Sequence, residues 1–216
     1  NDFHFQQEDV RVTKSENINA YRAAAWKKYI ETALPTNRDE AWRRTDIRAL
    51  KVDQFEFINQ DDLNLHSAVP ANLLNPVADG EHGGQIVWSG HILQKSLDPA
   101  LTAKGVVFTD LLTAEAIFPE LVEKVIGRIV KPEDGKFAAM SAALAQNGVF
   151  LYIPKNVQVE APLHSLFWGA PLNLAQISHV LVYLEAGATA TYVHEVASES
   201  YDKGQSFHAG NIELYV

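Results

Sequence analysis

Val149-Phe150-Leu151-Tyr152-Ile153, then Pro154-Lys155-Asn156, then Val157-Gln158-Val159: this stretch decides the fold. Val149, Leu151 and Ile153 alternate with Phe150 and Tyr152, which is the period of a β-strand, and the Pro-Lys-Asn that follows is a tight corner. The same pattern returns 31 residues later as Val180-Leu181-Val182-Tyr183-Leu184, Glu185-Ala186-Gly187 and Ala188-Thr189-Ala190. Ile212-Glu213-Leu214-Tyr215-Val216 opens a third copy, 32 residues on. Self-similarity at a fixed spacing marks a solenoid, whose units bury their apolar faces only by stacking. We therefore expect Val149, Leu151, Ile153, Val180, Val182 and Leu184 to face inward and the residues between them to face solvent. A cupin-like jelly roll is the rival reading. The third copy stops after its first strand and the chain begins at Asn1, so the sequence reads as a fragment, trimmed at its start and continued beyond Val216.

Upstream of Gly148 the pattern is mixed. Ser15 is placed to cap a helix running to about residue 34, with Ala23, Trp26, Ile30 and Leu34 as its apolar stripe and Pro35 at its end. Residues 40–50 suggest a short second helix, and residues 59–85, rich in Asn, Asp, Pro, Gly and His, a loop. Short strands are expected at 86–88 and 106–108. Thr109 or Asp110 would cap the next helix, and Pro119 suits the first turn of another with Leu121, Val122, Val125, Ile126 and Ile129 as its buried face. A last helix at 135–145 carries Phe137, Met140 and Leu144. The expected architecture is an α+β N-terminal domain at residues 1–136, followed at 137–216 by the start of an all-β right-handed parallel β-helix, truncated.

Composition narrows the function. The 216 residues carry a net charge of −9, and from residue 137 to the end the only basic residues are Lys155 and Lys203. Such a surface grips neither nucleic acid nor an anionic membrane. With no cysteine there is no disulfide, thiolate metal ligand or cysteine nucleophile. No apolar run approaches a membrane span and no signal peptide is visible, so a cytoplasmic protein is expected. No G-x-x-x-x-G-K-[ST] phosphate loop occurs; His194-Glu195 lacks the second histidine of H-E-x-x-H; Ser89 lacks the glycine of a nucleophile elbow.

His164, His179, His194 and His208 form the one constellation of chemical interest, because neutral imidazole is a good ligand for iron or zinc. The repeat alignment sets His164 opposite Glu195, beside His194. A metal-dependent cupin-type enzyme using His164, His179 and His194 is one reading; histidines held in the walls by hydrogen bonds is the plainer one. Trp26, Trp42 and Trp168 read as packing residues. Arg43, Arg44 and Arg48 form a small basic cluster, either a solvated face or a docking point.

Two stretches carry a family likeness. Asp39-Glu-Ala-Trp-Arg-Arg-Thr-Asp-Ile-Arg-Ala-Leu50 resembles the E-x-W-(R/K)-(Y/R)-T-(D/N)-(L/I) segment of SufB and SufD proteins. Ala145-Gln-Asn-Gly-Val-Phe-Leu-Tyr-Ile-Pro-Lys-Asn-Val-Gln-Val-Glu-Ala-Pro-Leu-His164 resembles the same family's D/N-G-x-x-(L/I)-(Y/H)-(V/I)-P-K-G-V-x-(L/V)-x-x-P-(I/L)-H, and residues 179–190 resemble a later rung. The chain is similar to the SufD branch of this iron–sulfur cluster assembly family. It departs at Asn156, where glycine is usual, and at His179, where arginine is frequent. The resemblance implies a helical N-terminal domain, a right-handed β-helix and a C-terminal helical domain absent from this sequence. It implies a scaffold, not an enzyme, working with a SufB-type paralogue and a SufC-type ATPase, with a homodimer through the β-helix as a further arrangement. It implies no cofactor on this chain alone, an iron–sulfur cluster at the level of the complex, with a flavin as a further candidate there. It assigns no catalytic or metal residue, and cofactor-binding residues are unknown.

Overall fold

The structure, a computed structural model, describes residues 2–57, 67–77 and 80–216. The part of the expected 59–85 loop at 59–66 and 78–79 lies outside the described residues. Among those described, five helices and nine strands form a mixed α/β arrangement with two sheets. In chain order they are α1 (Glu16–Glu31), β1 (Glu56–Phe57), β2 (Gly84–Ser89), β3 (His91–Leu97), α2 (Pro99–Ala103), β4 (Val107–Asp110), α3 (Leu111–Ile117), α4 (Pro119–Val125), α5 (Lys136–Leu144), β5 (Asn147–Ile153), β6 (Leu163–Trp168), β7 (Leu174–Leu184), β8 (Tyr192–Ala197) and β9 (Phe207–Tyr215).

The first sheet runs β1-β7-β5-β4, with β9 on β7; the second runs β3-β2-β6-β8. The repeated strands lie side by side and parallel. Val149 pairs with Val180 and Leu151 with Val182, the 31-residue spacing read from the sequence. Val180 pairs with Ile212, a spacing of 32. Gln158 bridges Thr189 in the same direction. Asn156 and Gly187 occupy the same corner position in successive copies, and both take left-handed backbone, φ 60° and 75°. Asparagine tolerates this region better than other side chains, so it can stand where glycine would.

The inward set is as expected. Val149, Leu151, Ile153, Val180 and Val182 are buried in a core shared with Ile86, Trp88, Leu163 and Phe167 of the second sheet, and Leu184 packs on its margin. Nor are the intervening residues left to solvent: Tyr152 and Tyr183 are half-buried. Phe150 and Leu181 are wholly buried against Ile18, Leu111, Ala114, Val122 and Val125, so the outer face of the first sheet is covered by α1, α3 and α4. Each such side chain removed from water contributes about 1.5–3 kcal/mol, which makes the helical cover integral to the sheet. Strands from before residue 137 also join both sheets: β4 pairs with β5, β2 with β6 and β1 with β7.

Helix α1 is capped by Ser15, whose Oγ accepts from the N–H of Ile18 at 3.1 Å. Its buried stripe is Ile18, Arg22, Ala25 and Tyr29, while Ala23 is exposed and Ile30 is 59% exposed. An arginine counted as polar sets the helix face, because Arg22 is buried in an ion pair with Glu115 of α3, which Arg11 also reaches at 3.2 Å. The expected helix at 40–50 is a single 3-10 turn, Glu40–Trp42, followed by turns. Its apolar residues are too few to bury a face. Asp110 caps α3 and Pro119 opens α4; that helix ends at Val125, leaving Ile129 49% exposed. β1 and β3 were not expected. β1 is two residues long, and β3 is a mostly exposed strand whose alternation is too weak to read.

Candidate functional site

β6 and β7 each place a histidine beside a serine, His164 with Ser165 and Ser178 with His179. Neighbouring residues of a strand point to opposite faces, so each strand sends one group outward and one into the space between the sheets.

On the outer face of the second sheet, His164 is fully buried. Gln85 Oε1 accepts from Gln94 at 2.7 Å, which turns the Gln85 amide nitrogen to donate to Leu74 O at 3.2 Å and His164 Nδ1 at 3.0 Å. That leaves the His164 Nε2–H to donate to Glu195 at 2.6 Å. The His82 ring stacks on His164 with centroids 4.8 Å apart, and its Nε2 accepts from Val77 N–H at 3.1 Å. Burial, and then His164, pushes the His82 imidazole below its ordinary value. Trp168 Nε1 donates to Ser67 Oγ at 3.1 Å. These bonds hold Ser67, Leu74, Val77 and His82 across the sheet.

On the outer face of the first sheet, His179 Nε2 donates to Glu213 at 2.8 Å, and each is 1% exposed. Glu213 also accepts from the N–H groups of Gly127, Ile129 and Val130 at 2.8, 2.7 and 3.1 Å. Burial alone would raise this carboxyl; His179 and the backbone donors outweigh it and hold it below the usual carboxylate range.

Between the sheets, Ser165 Oγ meets Tyr192 OH at 2.6 Å and His194 Nδ1 at 2.7 Å, while Ser178 Oγ meets His208 Nε2 at 3.0 Å. His194 comes from one sheet and His208 from the other, and both rings stand edge-on to Phe167, at 4.6 and 6.2 Å. Burial, aided by His164 for His194 and by His194 for His208, pushes each down to about 4. Both are neutral at neutral pH. Gln176, strand partner of His208, is fully buried with neither amide atom hydrogen-bonded among the described residues.

The four histidines therefore do not form one centre. His164 and His179 lie on the outer faces of different sheets and His194 lies inside, so the three residues of the cupin-type reading do not come together. The strands that carry them run parallel, whereas a jelly roll is antiparallel. No group of three His, Cys, Asp or Glu side chains suited to a metal ion occurs among the described residues. The expected pairing of His164 with Glu195 exists as a hydrogen bond, but the register is different: β6 and β8 pair at a spacing of 29, with His164 beside Val193. What the arrangement does is tie neighbouring strands together: His164–Glu195, Ser165–His194, Ser178–His208 and His179–Glu213 each join one strand to the next in its sheet, and Gln85 and Glu213 extend the bonds to the segments packed outside. Sequence reasoning missed Gln85, Gln176 and Glu213. Glu213 had a signal, for it stands where the two earlier copies have Phe150 and Leu181.

Of the remaining candidates, Trp26 packs on Tyr29 at 5.3 Å and Trp42 on Phe137 at 5.3 Å, both half-buried. Arg48 pairs with Asp46 at 2.6 Å on the surface, and Arg43 and Arg44 are exposed. No helix among the described residues is long and apolar enough to cross a membrane.

The N-terminal region of SufBD proteins matches residues 1–164, and the chain belongs to the SufBD family. Over 114 residues it is 40% identical to the iron-sulfur cluster assembly protein SufD of Bacillus subtilis (strain 168), a stretch covering 52% of this chain and 26% of that protein. It is 35% identical over 116 residues to the iron-sulfur cluster assembly SufBD family protein ABCI9 of Arabidopsis thaliana, covering 53% and 24%. To the chloroplastic SufBD family protein ABCI8 of the same plant it is 33% identical over 115 residues, covering 53% and 20%. The chain thus spans about a quarter of the length of these relatives.

Proposed function

We propose that this chain is a scaffold subunit in iron–sulfur cluster assembly, acting in a cytoplasmic complex with a SufB-type paralogue and a SufC-type ATPase. The observation that carries the reading is the in-register parallel stack of β5, β7 and β9, built without a cysteine in a chain of the SufBD family. Iron–sulfur clusters are held mainly by thiolates, so a cysteine-free stack suits a structural partner and not the cluster's own ligand set. Catalysis is assigned to the partners for the same reason: the chain has no phosphate loop and its histidines are tied into strand-to-strand bonds. In this reading residues 137–216 begin a right-handed β-helix, and residues 1–136 supply flanking strands and the helical cover. Cluster, and flavin if one is used, belong to the complex.

The test is co-expression with a SufB-type and a SufC-type protein, followed by affinity purification and size-exclusion chromatography. The expected result is a stable complex containing all three. Elution of this chain apart from both partners would overturn the proposal.

A further inference from the structure

Residues 67–77 are tied across the outer face of the second sheet, yet none of them is buried. A segment with so little buried surface is held by its polar bonds and opens more readily than a core strand. Three hydrogen bonds among the described residues do this. Trp168 Nε1 donates to Ser67 Oγ at 3.1 Å, Gln85 Nε2 donates to Leu74 O at 3.2 Å, and Val77 N–H donates to His82 Nε2 at 3.1 Å. Gln85 lies on β2 and Trp168 on β6, and both are buried on the face that the segment crosses.

The bond to Val77 differs from the other two, because a proton can abolish it. An indole N–H and a carboxamide keep their roles at any working pH, whereas His82 accepts through the lone pair of a neutral imidazole. Protonation puts a hydrogen on Nε2, and two N–H groups then face each other with no acceptor between them. The chain beside His82 is fixed, since Gly83 donates to Pro162 O and accepts from Asp98 N–H, both at 2.8 Å. The surroundings also resist the charge. The His82 ring stacks on His164 of β6 with centroids 4.8 Å apart. Burial, and then His164, hold the His82 imidazole below its ordinary value, and Glu195 of β8 opposes them without prevailing. Glu81, its acidic neighbour in the chain, is exposed.

We propose that His82 is a proton-sensitive latch: neutral, it holds residues 67–77 against the second sheet, and protonated, it releases them and uncovers the sheet at Trp168. The device is separate from the inner histidines, which lie between the sheets, and it works within this chain whatever the partners are. With the segment released, His82 returns to an ordinary value of about 6.5, above its value in the latched state. The released state therefore binds more protons, so the latch is fully closed above about pH 6.5 and weakens as pH falls. For a single imidazole the closed-to-open ratio at pH 5.5 can drop by at most about tenfold.

The donors of two of the three bonds report on the latch directly. Hydrogen exchange of the Val77 amide and the Trp168 indole N–H is read by nitrogen-15 NMR on the intact chain at pH 7.5 and 5.5, corrected for the intrinsic pH dependence of exchange. Protection of both is expected to fall together, by about threefold to tenfold, at pH 5.5. His82→Phe keeps a ring against His164 but offers no acceptor, so at pH 7.5 it should already exchange as the parent does at pH 5.5. His82→Gln supplies an acceptor oxygen that does not titrate in this range, so its protection should be the same at both values. Thermal midpoints at pH 7.5 matching the parent's place these changes in the segment and not in the fold. Unchanged protection in the parent, a faster Val77 amide with an unaltered Trp168 indole, full protection in His82→Phe, or a fall that persists in His82→Gln would each overturn the proposal.

Discussion

Glu213 occupies a strand position that is Phe150 and Leu181 in the two preceding strands. The carboxylate survives burial because His179 and three backbone N–H groups surround it. Removing it leaves all four donors without an acceptor, and a broken buried pair costs about 3–5 kcal/mol. Glu213→Ala should lower the stability read from urea unfolding by about that amount, and Glu213→Gln, which keeps an acceptor oxygen, should cost less. The inner histidines predict a pH dependence. In the folded chain His194 and His208 lie at about 4, against about 6.5 when unfolded. The unfolded chain therefore binds more protons between these values, so stability is full above about 6.5 and declines as pH falls toward 4. Glu213, held below its unfolded value, adds its own loss at lower pH, as the carboxylate is protonated. Urea midpoints measured from pH 7.5 to 4.5 should fall, and the fall should flatten in the variant His194→Gln/His208→Asn. A midpoint independent of pH over this range would contradict the burial of neutral imidazoles.

Among the elements, β5 and β7 are the centre, with the inner core on one side and the helical cover on the other. Leu151 is wholly buried in the inner core, so Leu151→Asp places an unpaired charge there and should leave little folded protein at room temperature. Leu151→Ala should cost about 2–5 kcal/mol by cavity formation. The two strands also approach closely at Gly148, where a Cβ would lie 1.8 Å from the carbonyl oxygen of His179. Gly148→Ala must push these backbones apart. It is expected to destabilise by more than a helix-interior change of the same kind, as thermal unfolding would show. Spacing differs between the sheets, 31 or 32 in the first and 29 in the second. Strand pairing tolerates this because the connecting corners absorb the difference, with Val159 to Leu163 in one copy matching Ala190 to Tyr192 in the next.

For the whole molecule, the inner faces of the last strands are open to solvent. Val196, Ile212 and Leu214 are 49%, 45% and 54% exposed, although their partners in the preceding strands are buried. An edge strand with free backbone groups beside exposed apolar side chains is a template for pairing. We expect light scattering to show a mass that rises with concentration, and Ile212→Lys/Leu214→Lys to reduce the rise. A strictly monomeric species at high concentration would refute pairing through this edge. The isolated chain should also show no ATP hydrolysis and no visible cluster absorption after anaerobic reconstitution.

The repeat, its 31-residue spacing, the inward set and the caps at Ser15 and Asp110 were legible in the amino-acid sequence, because strand alternation, corner residues and helix caps are written in neighbouring side chains. The family could be read for the same reason, from two contiguous stretches. The helical cover over Phe150 and Leu181 was not legible, nor was the buried Arg22–Glu115 pair that chose the inner face of α1. Both depend on residues far apart in sequence, 93 positions for Arg22 and Glu115 and more for Ile18 and Phe150, that are joined only when the layers close. The histidines show the division most clearly. Their number and chemistry were visible along the chain, but which face each would take, and whether a serine or a carboxylate would meet it, followed from strand register. A shift of one residue in that register exchanges inside for outside.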